Sequence, residues 1–191
     1  DLGGTNLRVA SVGAGGEITI ETILRAPGVL RLAQRPIVEL LACRGKASLV
    51  PARRVEPGPH TLFAPGALPV AHDVEIEVEA SRASWLRLGL RCGGVATTIG
   101  EAPIGEATFV VIDRRNATIA IDRRTSGAAV SSDFTRSNPM PWPGARASTL
   151  RLRIVVDACS VEVFAGDGDA VLTSLTFANP TSTGITIEGD A

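Results

Sequence analysis

Leu150-Arg-Leu-Arg-Ile-Val-Val-Asp157, followed after two residues by Ser160-Val-Glu-Val-Phe164, Gly166-Asp-Gly168 and Ala170-Val-Leu-Thr173, decides the fold class. Leu152, Ile154 and Val156 recur at every second position, the period of a strand with one buried face. Val161 and Val163 alternate with Glu162 in the same way, and a Gly-Asp-Gly turn joins this run to the next. Working outward, His72-Asp-Val-Glu-Ile-Glu-Val-Glu-Ala80 sets Val74, Ile76 and Val78 against a row of glutamates. Ser84-Trp-Leu-Arg-Leu-Gly-Leu-Arg91 alternates too, with Trp85 and Leu86 leaving its phase ambiguous. Thr108–Asp113 and Ala117–Asp122 flank Arg114-Arg115-Asn116 as a hairpin, and Gly184–Glu188 closes the chain. Short strands at this spacing predict an all-β chain, a two-sheet antiparallel β-sandwich.

The alternating positions are the expected core: Val74, Ile76, Val78, Leu88, Leu90, Val110, Ile119, Ile121, Leu152, Ile154, Val156, Val161, Val163, Phe164, Leu172 and Phe177. Pro36-Ile-Val-Glu-Leu-Leu-Ala-Cys43 suits a helical turn or two. Pro51, Pro57, Pro59 and Pro65 make the next stretch connector and edge. Ser137-Asn-Pro-Met-Pro-Trp-Pro-Gly144 is a stiff loop around Trp142. The expected division is an N-terminal hairpin over 1–27, an irregular connector over 28–57 and the sandwich over 58–191.

Composition narrows the function classes. The 191 residues are 45% hydrophobic and 20% charged, globular in proportion. Nineteen basic and 20 acidic residues leave a net charge of −1, so no bulk field attracts nucleic acid or anionic lipid. Lys46 is the only lysine, and the arginines are scattered. No run approaches the ~18 apolar residues of a membrane helix. The chain begins at Asp1 and not at Met, which leaves a lost N-terminal address open. Cys43, Cys92 and Cys159 form no CxxC pair, so neither a metal nor a redox cofactor is expected, and they read as buried thiols in a reducing compartment, with a lean to the cytoplasm. His60 and His72 read as surface histidines beside loops. Trp85 and Trp142 are the candidate carbohydrate contacts, through stacking of a sugar ring on the indole.

Two segments carry a resemblance. Ile121-Asp-Arg-Arg-Thr-Ser-Gly127 with Phe134, and Leu152 through Phe164 running into Asp167-Gly168 and Val171-Leu-Thr173, resemble the C-terminal module of glycoside hydrolase family 32. Leu30-Arg-Leu-Ala-Gln-Arg-Pro-Ile-Val-Glu-Leu40 is similar to that family's passage out of its catalytic domain. The likeness covers about residues 28–191. It departs at Gly166, where the family commonly has Asn, and at Ala158-Cys159 in place of Arg-Ser. The family comprises invertases, levanases, inulinases and sucrose-6-phosphate hydrolases.

The resemblance implies a non-catalytic module of a fructan- or sucrose-cleaving enzyme, partnered by a catalytic β-propeller. A retaining glycosidase needs two carboxyls about 5–5.5 Å apart. The family carries them on the propeller, in Asn-Asp-Pro-Asn, Glu-Cys and Arg-Asp-Pro strings, none of which occurs here. Asp157 at a strand end reads as a turn residue. A stand-alone module that binds fructan or another sugar is the alternative.

Asp1-Leu-Gly-Gly-Thr-Asn-Leu-Arg-Val-Ala10 resembles instead the opening of a repressor–ORF–kinase-type sugar kinase. There Asp1, Gly3, Gly4 and Thr5 would form a phosphate-facing turn, here expected to be vestigial. The remaining reading is thus a remnant of an ATP-dependent sugar kinase.

Overall fold

A computed structural model describes residues 7–13, 16–26, 29–99, 102–134 and 137–190. In the N-terminal part β1 (Leu7–Gly13) and β2 (Gly16–Ala26) form the expected antiparallel hairpin, closed at Gly13↔Gly16. The sheet continues past residue 28, because β3 (Val29–Ala33) pairs antiparallel with β2. A 3₁₀ helix at Val38–Cys43 realises the turn expected after Pro36.

The sandwich follows: β4 (Gly58–Phe63), β5 (His72–Glu79), β6 (Trp85–Ile99), β7 (Ala102–Asp113), β8 (Thr118–Thr125), β9 (Met140–Pro141), β10 (Thr149–Val156), β11 (Ser160–Ala165), β12 (Ala170–Leu175) and β13 (Gly184–Gly189). A four-stranded sheet runs β12-β11-β10-β5 and a six-stranded sheet β4-β13-β6-β7-β8-β9. Every named pair is antiparallel. Beyond Arg91 and before Thr108 the β6–β7 hairpin extends further than apolar alternation indicated. Backbone pairing such as Thr98↔Pro103 carries it, with shifts in register after Leu90 and after Gly93. β4, in the proline-rich stretch, is an edge strand, where a missing N–H costs least.

The core lies between the sheets. Leu88, Leu90, Val110, Ile119, Ile154, Val156, Val161 and Val163 are all at most 1% exposed. Ile154 stands opposite Val163 on one side and Val74 on the other, so three strands meet at one point of the core.

Two aromatic expectations are corrected. Phe164 is buried, yet it shares the face of Glu162, not that of Val161 and Val163, and stands outside the core cluster. Strand parity dictates this: Phe164 is one residue from Val163 and therefore on the opposite side of the sheet. Phe177 is 37% exposed and stacks on Phe134 at 5.4 Å outside that cluster. The cysteines differ too. Cys43 and Cys159 are exposed, and only Cys92 is half-buried, its thiol 3.5 Å from Thr186 Oγ1 and pushed up in pKa by burial. Cys43 ends a short 3₁₀ turn and Cys159 the three-residue connection between β10 and β11, and both are left exposed there.

The connector is pinned to the four-stranded sheet at two points. Gln34 N–H donates to Gly168 O at 3.1 Å, and Arg35 Nε donates to Asp167 O at 3.3 Å. Gly168 has φ +89°, and a Cβ there would lie 2.1 Å from Gln34 O, so only glycine fits this crossing. At the other pin Arg44 bonds Asp73 (2.8 Å) and Glu75 (2.5 Å). Burial works against the charge of Asp73, but hydrogen bonds from Arg153 and Arg44 outweigh it and hold the carboxyl below its ordinary range. The glutamate row of β5 is thus partly an arginine-binding edge.

Candidate functional site

Of the predicted phosphate-turn residues, Asp1, Gly3, Gly4 and Thr5 lie outside the described residues. The two tryptophans part company. Trp142 is 2% exposed and belongs to the core cluster. Its backbone N–H donates to Ala117 O at 2.7 Å, and it leads into a 3₁₀ turn, Pro143–Arg146. Gly144 sits so close that a Cβ would lie 2.5 Å from the indole Nε1. That ring is spent on packing, and its face is not offered to a sugar. Trp85 is half-buried at the start of β6, and the structure settles its phase. Leu86, Leu88 and Leu90 point into the core, so Trp85, Arg87 and Gly89 face outward.

Around Trp85 the outward face carries an ordered set of charges. Asp190 accepts from the backbone N–H groups of Ser84 (2.7 Å) and Trp85 (3.2 Å) and from the Ser84 hydroxyl. Arg87 donates to Glu188 through Nε at 3.0 Å and through Nη2, and its guanidinium lies 4.4 Å from the centre of the Phe109 ring. Two strands on, Asp122 accepts from Arg124 at 3.0 and 2.6 Å. Burial opposes its charge, but the Arg124 hydrogen bonds and the charges of Arg124 and Arg87 prevail and depress its pKa.

Other carboxylates are committed as well. Glu77 accepts from Arg151 (2.8 Å), and Asp113 accepts from the Asn116 amide at the β7–β8 turn (2.7 Å). Glu106 accepts from Asn179 N–H (3.0 Å) and the Ser182 hydroxyl, holding the loop before β13. Asp157 accepts from Ala158 N–H at 2.7 Å, in keeping with a turn role. Each described carboxyl whose pKa departs clearly from the ordinary value departs downward: Asp73, Glu79, Asp113, Asp122 and Asp190. A glycosidase acid needs the opposite shift, so that it still holds a proton near neutrality. Among the described residues no three His, Cys, Asp or Glu side chains gather in a way that could hold a metal ion. No described helix is long and apolar enough to cross a membrane.

Both histidines are half-buried. His60 Nε2 is bonded to Glu56 O (2.7 Å), and His72 Nδ1 donates to Pro69 O (2.9 Å). His72 Nε2 is buried without a hydrogen-bond partner, so a proton added there would go unsolvated. Burial, helped by the positive charge of Arg91, pushes the His72 pKa down. The unfolded chain takes that proton near pH 6.5, while the folded chain resists it. Stability from this group is therefore complete above about pH 6.5 and is lost as the pH falls below it. The melting temperature should drop between pH 7.5 and pH 5, and His72→Gln should remove part of that drop. Asp73 and Asp122 are depressed and titrate below this window, so they do not produce it.

Fold and site together define an antiparallel β-sandwich module with several carboxylates paired to arginines on its sheets, Asp73, Glu77, Asp122 and Glu188 among them. The family model for the C-terminal part of glycosyl hydrolases family 32 matches residues 55–190. The chain belongs to that family. A levanase of Bacillus subtilis (strain 168) is 29% identical over 157 residues, which is 82% of this chain and 22% of that protein. A levanase of Bacillus sp. (strain L7) is 32% identical over 161 residues, 82% of this chain and 16% of that protein. The chain therefore spans less than a quarter of these relatives. Among solved structures the exo-inulinase of Aspergillus awamori superposes with a TM-score of 0.71 at 23% identity, over 91% of this chain and 32% of that one.

Proposed function

We propose that this chain is the non-catalytic β-sandwich of a fructan- or sucrose-hydrolysing enzyme of family 32, and that its role is structural support of a catalytic domain. One observation carries the reading. The chain matches curated levanases over 82% of its own length but over only 22% and 16% of theirs, at the family's C-terminal part. The downward shifts of Asp73, Glu79, Asp113, Asp122 and Asp190 support it, because none of these five is set up as a general acid. The third reading, a remnant sugar kinase, has only the resemblance of the N-terminal stretch from Asp1 to Ala10 in its favour, and its phosphate-turn residues Asp1, Gly3, Gly4 and Thr5 lie outside the described residues.

Removing the matching part from the Bacillus subtilis levanase and supplying residues 55–190 of this chain in its place tests the supporting role. The truncated enzyme should melt lower and express poorly, and the chimera should regain soluble enzyme that cleaves levan. A truncated enzyme as stable and active as the intact one would remove the need for a supporting module.

A further inference from the structure

The outward side of the six-stranded sheet holds chemistry that a supporting role does not use. Pairing across the sheet sets Trp85, Arg87 and Gly89 of β6 beside Asp113, Val111 and Phe109 of β7. Phe109 stands beside Asp122 of β8, and Glu188 and Thr186 of β13 flank Arg87 and Gly89 from the other side. A Cβ at Gly89 would lie 2.3 Å from Thr186 Oγ1 and 3.1 Å from the Phe109 ring. The centre of the face is thus a shallow, closely packed floor. Charged groups of alternating sign stand on that floor from three strands, Glu188 of β13, Arg87 of β6, and Asp122 and Arg124 of β8, with Phe109 of β7 between Arg87 and Asp122.

Three properties point to one kind of ligand. The row balances two carboxylates against two guanidinium groups, so it offers an ion no net attraction. It is already partly dehydrated and fixed in place: the side chains of Asp122 and Glu188 are 12% and 22% exposed, and Arg87 is held by Glu188 and the Phe109 ring. Groups held this way lose little entropy on meeting a ligand. Fixed acceptors and donors, Glu188 and Arg87 on neighbouring strands about 4.8 Å apart and Asp122 two strands beyond Arg87, suit a molecule with hydroxyls repeated along its length. The half-buried indole of Trp85, at the rim, suits the C–H face of a sugar ring. A protein partner fits less well, since the centres of protein interfaces are depleted in charged residues.

We propose that this face binds a neutral saccharide chain, with Trp85 stacking on a ring and Glu188, Arg87 and Asp122 bonding its hydroxyls. The choice of fructan as that saccharide rests on the family 32 reading above; the site itself does not.

Affinity electrophoresis of the full chain through gels containing levan or inulin tests this. Retardation is expected in at least one of the two polymers and should persist at high salt, because the ligand is neutral. Trp85→Ala should weaken it about tenfold or more. Asp122→Asn, which keeps the shape of the side chain, should weaken it as well, so the test survives if the tryptophan variant fails to fold. No retardation in either polymer, retardation unchanged in both variants, or retardation abolished by salt would overturn the proposal. So would Trp85→Ala destabilising the levanase chimera while the unsubstituted chain shows no retardation, since the face would then be a protein contact. The supporting role is read from the chimera and not from the gel, so failure of either stands apart from the other.

Discussion

Ile154→Ala should cost about 4 kcal/mol of folding stability, within the range for deleting a fully buried aliphatic side chain. Ile154 is 0% exposed at the centre of β10, and its strand partners are Val163 and Val74. Shortening it opens a cavity bounded by β-branched side chains, which have few rotamers with which to refill the space. For a chain of this size the melting temperature should fall by roughly 8–16 °C. Phe164→Ala removes a larger side chain but should cost less, about 2–3 kcal/mol, because Phe164 stands on the other face and outside the core cluster. Thermal denaturation of the two variants side by side checks this. If Phe164→Ala were the more damaging, the true core would lie on the Phe164 face and the parity reading would be wrong.

Arg91→Met should cost about 3 kcal/mol, although it replaces a charged residue by an apolar one of similar length. Arg91 is 1% exposed and has φ 53°, at the bulge where β6 changes register with β7. Its guanidinium donates to Val70 O (3.3 Å), Ala178 O (3.3 Å) and Asn179 O (3.2 Å). Glu106 grips the same loop from the other side through Asn179 N–H and Ser182, and its charge favours the cation. Methionine would leave these carbonyls without their donor and Glu106 without its counter-charge. Lysine should restore only part of the loss, since one ammonium cannot reach the three carbonyls that the planar fork spans. Hydrogen exchange should show faster exchange at Asn179 and Ser182 in Arg91→Met than in the parent chain. Unchanged exchange there would mean that the loop is held by other contacts.

How much was legible in the sequence differs between strands and site. Alternation is a local signal, and β5, β10 and β11 stand where their period of two placed them. The same rule already held Phe164 on the Glu162 face; aromatic character alone had put it among the core residues. For β6 the doublet Trp85-Leu86 left the start of the strand ambiguous, while Leu88 and Leu90 were expected in the core and are buried there; Leu86 continues their face opposite Ile112. The charged row on the outer sheet was not legible, because Arg87 and Glu188 are 101 residues apart and meet through strand pairing. Arg91 reads locally as the next outward arginine after Arg87; a bulge, which no local pattern marks, turns it inward. Trp142, a candidate sugar contact in a stiff proline-rich loop, could equally fill the core or anchor its loop by residue type, and the core closes over it.

Purified chain incubated with sucrose, inulin and levan, with released fructose measured at neutral and mildly acid pH, tests the central claim most directly. The account predicts no release above the enzyme-free control with any of the three, and the same result for Asp122→Asn and Glu188→Gln. Sustained turnover that a single carboxylate substitution abolishes, in a chain that still folds, would contradict it.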